Sequence, residues 1–210
     1  MRLGTAAFAI AAALAPLPAA AEADDCAGVW RPAVANARNE PVRFTREGRP
    51  ALRVVRAVGA TDVGAAARLQ QAIAAGHVDE VWLHSTGGDA AEALRIGQLL
   101  RGSGIATRIP AGAVCAGACA EAFLGGTARF VDEGGRLGFS GVPIAKRRPT
   151  AAHTREQAGA RWAEQRADYY IRAGVSRGLL RLQLQGTANR VCFLSATGLG
   201  RYNVTNALPR

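Results

Sequence analysis

From Val42 to Thr45 and again from Ala51 to Val58, apolar residues and arginines alternate around Glu47-Gly48-Arg49-Pro50, which predicts a β-hairpin. Thr61 or Asp62 can cap the next element, a helix carrying Val63, Ala66, Leu69, Gln70 and Ile73 and ending near Gly76. The short apolar run Val78 to His84 then reads as a buried strand. Asp89 to Gly102 has Ala90, Ala93, Leu94, Ile96, Gly97 and Leu100 near helical spacing, and Ile105 to Pro110 makes another strand. Ala116 to Leu124 reads as a helix, Ala128 to Val131 and Arg136 to Phe139 as strands. Strands alternating with helices at these lengths point to an α/β fold with a mostly parallel sheet.

The second half continues with a proline-bracketed basic loop, Gly141 to Pro149, and a long helix from about Thr150 to Ala173 ended by Gly174. Ala160, Ala163, Ala167 and Tyr170 mark one side of that helix. A further helix over Ser176 to Gln185 precedes the apolar run Val191 to Leu194. Residues 22 to about 40 lack periodicity and read as an extended arm held down by Cys26.

Composition places the chain in a compartment. Arg2, the apolar stretch Ala6 to Leu14 and the small residues Ala19-Ala20-Ala21 have the order of a cleaved secretory signal over residues 1–21, with residues 22–210 as one domain. The apolar stretch is too short for a membrane span, which needs roughly 20 residues. A periplasmic or secreted location follows from that reading, and an oxidising compartment favours pairing of the four cysteines. Three connectivities are open. The pairing expected is Cys26 with Cys192 and Cys115 with Cys119; the second requires Cys115 to lie just outside the helix, because positions four apart within one point their sulfurs apart.

The formal charge of +10 could favour anionic lipid or an acidic polymer, but the arginines are scattered along predicted helices, where a solvated face explains them. A weak contact with an anionic membrane surface stays open, and no nucleic-acid motif is visible. Three histidines, none at ligand spacing from the cysteines, offer no zinc site, and no cofactor motif appears.

Candidate chemistry concentrates in two stretches. Leu83-His84-Ser85-Thr86-Gly87-Gly88-Asp89 joins a strand to a helix through a glycine pair, and Cys115-Ala116-Gly117-Ala118-Cys119 forms an elbow of small residues about thirty positions later. With Leu137-Gly138-Phe139-Ser140-Gly141 further on, these stretches resemble the Clp-protease-like serine peptidases of the crotonase superfamily, particularly their exported bacterial branch. Members read roughly L-x-S-P-G-G-D, then C-A-S-A-C, then a glycine-flanked histidine. The resemblance covers about Ala51 to Val204 and implies a spiral of β-β-α units. It also implies that 142–173 leaves the compact core as a helical arm that contacts neighbouring subunits in a homo-oligomer or covers the site.

Gly117 stands where that family carries its nucleophilic serine, and Ser140 where it carries the base histidine. The acidic third member has no counterpart; Asp168 is the only aspartate in the right region and reads as a surface charge. The oxyanion donors, by resemblance the backbone amides of Gly87 or Gly88 and of Ala118, do not depend on side chains. A plain strand-to-helix turn would also account for the double glycine. A displaced nucleophile (Ser85, Ser103 or Ser140) with His84 or His153 as base is the alternative, although His84 and Ser85 as strand neighbours point to opposite faces. Thioester enolate chemistry, the other use of such donors, needs a cytoplasmic acyl-CoA substrate and a base. The sequence therefore predicts a degenerate serine-peptidase site that binds an extended peptide or a protein partner by strand addition.

Overall fold

A computed structural model describes residues 25–30, 40–49, 51–141, 163–185 and 190–207. The chain is a mixed α/β protein with two sheets. In order, the strands are β1 (Cys26–Trp30), β2 (Arg43–Arg49), β3 (Leu52–Val58), β4 (Glu80–His84), β5 (Ala106–Ile109), β6 (Val114–Ala116), β7 (Arg129–Val131), β8 (Arg136–Ser140) and β9 (Val191–Leu194). The helices are α1 (Ala65–Ala74), α2 (Ala90–Gly102), α3 (Ala118–Phe123), α4 (described over 163–172), α5 (Arg177–Gln185) and α6 (Ala196–Arg201).

One sheet has the order β2-β3-β4-β5-β7; its β2–β3 hairpin is antiparallel and its other pairs are parallel. The second sheet, β1-β9-β8-β6, is parallel only between β6 and β8. From β5 onward each strand of the first sheet is followed by one of the second: β5 by β6, then α3, then β7 by β8. A bridge between Ser85 and Cys115 stitches the two sheets together beside the site.

The core lies between the first sheet and its helices. Val55, Ala57, Val81, Leu83 and Ile109 join Leu69 of α1 and Leu94, Ile96 and Leu100 of α2 in one buried cluster. Burial of each such Val, Leu or Ile is worth about 1.5–3 kcal/mol. At Gly97 of α2 the helix surface is flat enough to admit Tyr169, whose hydroxyl would sit 1.9 Å from a Cβ at that position.

Several sequence expectations change. α1 starts at Ala65 and its N-cap is Gly64 (φ 85°), not Thr61 or Asp62. Thr61 is engaged in a bridge to Gly88, Asp62 pairs with Arg68, and Val63 stays 81% exposed. The arm expected over 22–40 contains a strand, β1, which pairs antiparallel with β9. Its partner lies more than 160 residues away in sequence, beyond any local signal.

The helical arm expected over 142–173 is described only from residue 163, and there it belongs to the core. Arg166, Tyr169, Tyr170 and Ala173 are buried at helical spacing, while Ala163 is exposed. The buried side is thus centred on two tyrosines and an arginine, not on the alanines, because Arg166 finds the Glu121 carboxylate inside.

Gly174 (φ 70°) does end that helix, its amide donating to the Ile171 carbonyl and that of Val175 to Tyr170. Both disulfides have the expected partners, Cys26–Cys192 and Cys115–Cys119. The second is feasible because Cys115 lies in β6 and only Cys119 lies in α3. Among the described residues no helix is long and apolar enough to cross a membrane.

The arginines are not all a solvated face. Arg108, Arg129 and Arg166 are buried. Arg108 grips Glu80 with Nε and Nη2 (2.8 and 3.1 Å) and donates to Asp132 through Nη1 at 2.6 Å. Arg129 donates to the carbonyls of Gly126, Ala173, Asn203 and Val204, so it clamps the C-terminal segment onto β7. Burial, with Arg101 nearby, lowers its pKa to about 10.

Candidate functional site

β6 carries the chain into the elbow at Gly117, whose φ of 57° and ψ of −119° would strain a residue with a side chain. α3 begins at the next residue. The Gly117 amide donates to the Gly138 carbonyl of β8 (2.9 Å), and the Ala116 amide to the Ser85 carbonyl (3.0 Å). The Cys115–Cys119 bridge closes over this turn, so the elbow is held by backbone pairing on both flanks and by a covalent ring.

The glycine pair lies against it. Both glycines have positive φ, 127° at Gly87 and 132° at Gly88. The Thr61 amide donates to the Gly87 carbonyl (2.8 Å) and the Asp89 amide to the Thr61 carbonyl (2.6 Å), which docks the turn on the segment before α1. A Cβ on Gly88 would sit 2.0 Å from the Thr61 oxygen, so only glycine fits there. A Cβ on Gly87 would lie 3.4 Å from the Ala116 carbonyl oxygen and 3.8 Å from the Ala118 amide nitrogen, so the two turns are in contact. Asp89 then caps α2, its carboxylate accepting from the Glu92 amide at 2.9 Å.

The amides in this corner differ. That of Gly87 donates to Ser85 Oγ at 3.2 Å. Among the described residues, the amides of Gly88 and Ala118 have no acceptor. Ser140, the last residue of β8, completes the corner: a Cβ built on Gly117 would stand 3.6 Å from Ser140 Oγ and 3.9 Å from the Gly87 Cα. Gly117 and Ser140 therefore lie within a small side chain's reach of each other.

The other candidates that are described lie as follows. Ser85 is buried and its hydroxyl is closed on its own turn, accepting from the Gly87 amide and donating to the Gly87 carbonyl (3.2 Å). His84 is exposed, and its Nδ1 accepts from the Val114 amide at 3.2 Å, so the proton of the neutral ring is on Nε2. His84 Nδ1 is thus engaged by the backbone of β6.

Ser103 follows α2 at the opposite end of the parallel strands from the glycine pair. Asp168 is exposed on α4, and His153 lies outside the described residues. Among the described residues no cluster of histidine, cysteine and carboxylate side chains could hold a metal ion.

Two cavities open at the carboxyl ends of β3 and β4. One of about 460 Å³ is lined by Pro41, Arg43, Val58, His84, Ser85 and Thr86, adjoining the glycine pair. The other, of about 300 Å³, is bordered by Arg56, Val58, Trp82, His84, Pro110 and Ala111. His84 and Val58 form the ridge between them.

A polar network that the sequence did not reveal fixes α3 from below. The buried Glu121 carboxylate accepts from Arg166, from the Tyr170 hydroxyl (3.0 Å) and from Gln183 Nε2 (3.1 Å), and the Tyr169 hydroxyl donates to the Glu121 carbonyl at 2.7 Å. Burial, reinforced by the Glu121 charge, raises the Tyr170 hydroxyl pKa well above its ordinary value, so it stays a donor. Burial opposes the Arg166 charge, but Glu121 and Tyr170 outweigh it and hold that pKa above its usual value. An acidic residue four positions after the elbow glycine, with no charge partner nearby in sequence, was the one available signal.

No protein-family model matches the chain, and no curated protein does. Among solved structures, a mutant of the 1510-N membrane-bound stomatin-specific protease is similar over 75% of this chain and 77% of that one, at 14% sequence identity and a TM-score of 0.48. A likeness at this level carries no information about activity.

Proposed function

We propose that this is an exported Clp-protease-like protein whose serine-peptidase site has lost its chemistry and which binds an extended peptide or protein partner without hydrolysing it. One observation carries the reading. Gly117, without a side chain, lies within a small side chain's reach of Ser140, while the amides of Gly88 and Ala118 in the two adjoining turns have no acceptor among the described residues. Acyl transfer needs a nucleophile and a base in hydrogen-bond reach as well as oxyanion donors. The family's nucleophile position is the side-chain-less Gly117 and its base position is Ser140, so among the described residues the backbone donors are the part of that machinery with a counterpart.

The two cavities at the strand ends give a bound chain room for its side chains, and main-chain pairing would supply affinity. The two disulfides fit a periplasmic or secreted location. Self-association, with the 142–173 region at the interface, belongs to the same reading.

Incubating the purified protein with a random peptide pool tests it. Peptides should be retained on the protein and recovered intact by mass spectrometry. Cleavage products that disappear when one serine is replaced by alanine would show an active hydrolase and end this reading.

A further inference from the structure

We infer that the open edge of β2 is a docking strand for an acidic extended segment of a partner protein, at a site apart from the glycine pair and the elbow. β2 ends the order β2-β3-β4-β5-β7, so it is paired on its β3 side alone. The register fixes which backbone groups point the other way. Arg53, opposite Gly48, sends its amide to the Asp79 carboxylate (2.7 Å) and accepts the Asp79 amide on its carbonyl (2.9 Å), both on the β4 side. That pair is therefore of the non-hydrogen-bonded kind, and by alternation Phe44, Arg46 and Gly48 turn their amides and carbonyls outward.

Among the described residues none of these backbone groups has a partner. The edge is also open to solvent: Arg43, Thr45, Arg46 and Gly48 are exposed, and a Cβ on Gly48 would meet nothing within 4 Å. Free edges are commonly blunted by proline, a bulge or a covering element, yet β2 runs for 7 residues with an unbroken register. Arg46 holds it in place. Its guanidinium donates to the carbonyls of Ala72 (2.6 Å), Gly76 (3.2 Å) and His77 (3.1 Å) at the C-terminal end of α1, where a cation suits the helix dipole. A strand already fixed loses little freedom when a partner pairs with it. A cavity of about 650 Å³, lined by Val42, Arg43 and Phe44 on one side and by Arg68, Gln71 and Ala72 on the other, gives room for the incoming side chains that face α1.

Charge selects the occupant. The hairpin from Arg43 to Val58 carries five arginines and one glutamate. A second copy pairing antiparallel about Arg46 would set that arginine against its own counterpart and Arg43 against Arg49, and like charges directly opposite destabilise a pair. Acidic side chains at alternating positions meet the same arginines favourably. The Arg43 side chain is 79% exposed, and its ion pair with Glu40, at 3.5 Å, is of the weak surface kind. An anionic lipid surface would match the charge but not the row of alternating donors and acceptors, which an extended polypeptide supplies.

The test measures fluorescence anisotropy of labelled octapeptides with the purified protein: one alternating Thr with Glu, one alternating Thr with Lys, and the Glu peptide with every backbone amide N-methylated. The Glu peptide should bind at least ~10-fold more tightly than the Lys peptide, and N-methylation should abolish its binding. Gly48→Pro removes an outward amide at an edge position where proline is tolerated, and should weaken binding at least ~10-fold. Arg43→Glu should weaken it about fivefold, and because that side chain is exposed it keeps the test decisive if Gly48→Pro does not fold.

Equal binding of the Glu and Lys peptides, or binding of neither, would overturn this inference. Binding that survives N-methylation would show attraction by charge alone, and binding that neither variant weakens would place the peptide elsewhere; each would overturn it too. The reading of the corner at Gly117 is tested separately, by the random peptide pool, and stands or falls on that result.

Discussion

Gly117→Ser combined with Ser140→His should be labelled by fluorophosphonate probes on the introduced serine, under conditions where the wild-type protein is expected to stay unlabelled. The two positions already face each other, since a Cβ at Gly117 stands 3.6 Å from Ser140 Oγ. The donors for a developing oxyanion, Gly88 and Ala118, have no acceptor among the described residues. The double variant therefore supplies a nucleophile and a base at the two positions where the resembled family carries them.

Two costs limit the gain. Serine at φ 57° is strained by about 1–3 kcal/mol, which the Cys115–Cys119 ring and the pairing of β6 with Ser85 and β8 must hold. The sequence offers no counterpart of the family's acidic third member to orient the new imidazole, and loss of that member in a complete triad lowers the rate by about 10⁴. Labelling over hours, at least ~10-fold above the wild-type background, is the expected outcome. Gly117→Ser alone should stay unlabelled for want of a base. A folded double variant that does not react would show that the two side chains do not reach each other.

The second large effect is on stability. Cys26→Ser with Cys192→Ser should lower the unfolding free energy by about 5 kcal/mol, because the bridge closes a loop with a sequence separation of 166 and restricts the unfolded chain accordingly. Urea denaturation, comparing the double variant with the wild-type protein, checks it.

The Cys115–Cys119 bridge spans a separation of only 4, for which the same reasoning gives about 2 kcal/mol. Its removal should be felt in peptide capture, since it braces the turn that presents the Ala118 amide. A fall below about 1 kcal/mol for the Cys26–Cys192 variant would mean that pairing of β1 with β9 holds this edge without the covalent link.

The legible parts of the chain were those whose signals are local. The hairpin β2–β3 announced itself by alternation around Gly48 and Pro50, and α2 by Asp89 as its cap and by apolar residues at helical spacing. The elbow and the glycine pair were visible as small residues between periodic segments, and their contact follows from the bridge of Ser85 to Cys115. What stayed hidden depended on partners distant in sequence. β1 is a strand only because β9 and Cys192 meet it, and Arg166 is buried only because Glu121 waits beneath α3. Gly64 displaced the expected polar caps because the Thr61 backbone was already committed to Gly87 and Asp89.

At the site, sequence spacing brought the family's nucleophile and base positions into view, but not that Ser85 closes its hydroxyl on its own turn or that His84 uses Nδ1 to accept from Val114. Those three hydrogen bonds depend on backbone positions that spacing alone does not give. They leave both side chains engaged in holding the loop that carries Gly87 and Gly88.

The most direct measurement is the intact mass of the wild-type protein after prolonged exposure to excess fluorophosphonate. With no hydroxyl activated beside the Gly88 and Ala118 amides, the mass should remain that of the unmodified chain. A single stoichiometric adduct, lost when one particular serine becomes alanine, would contradict the account.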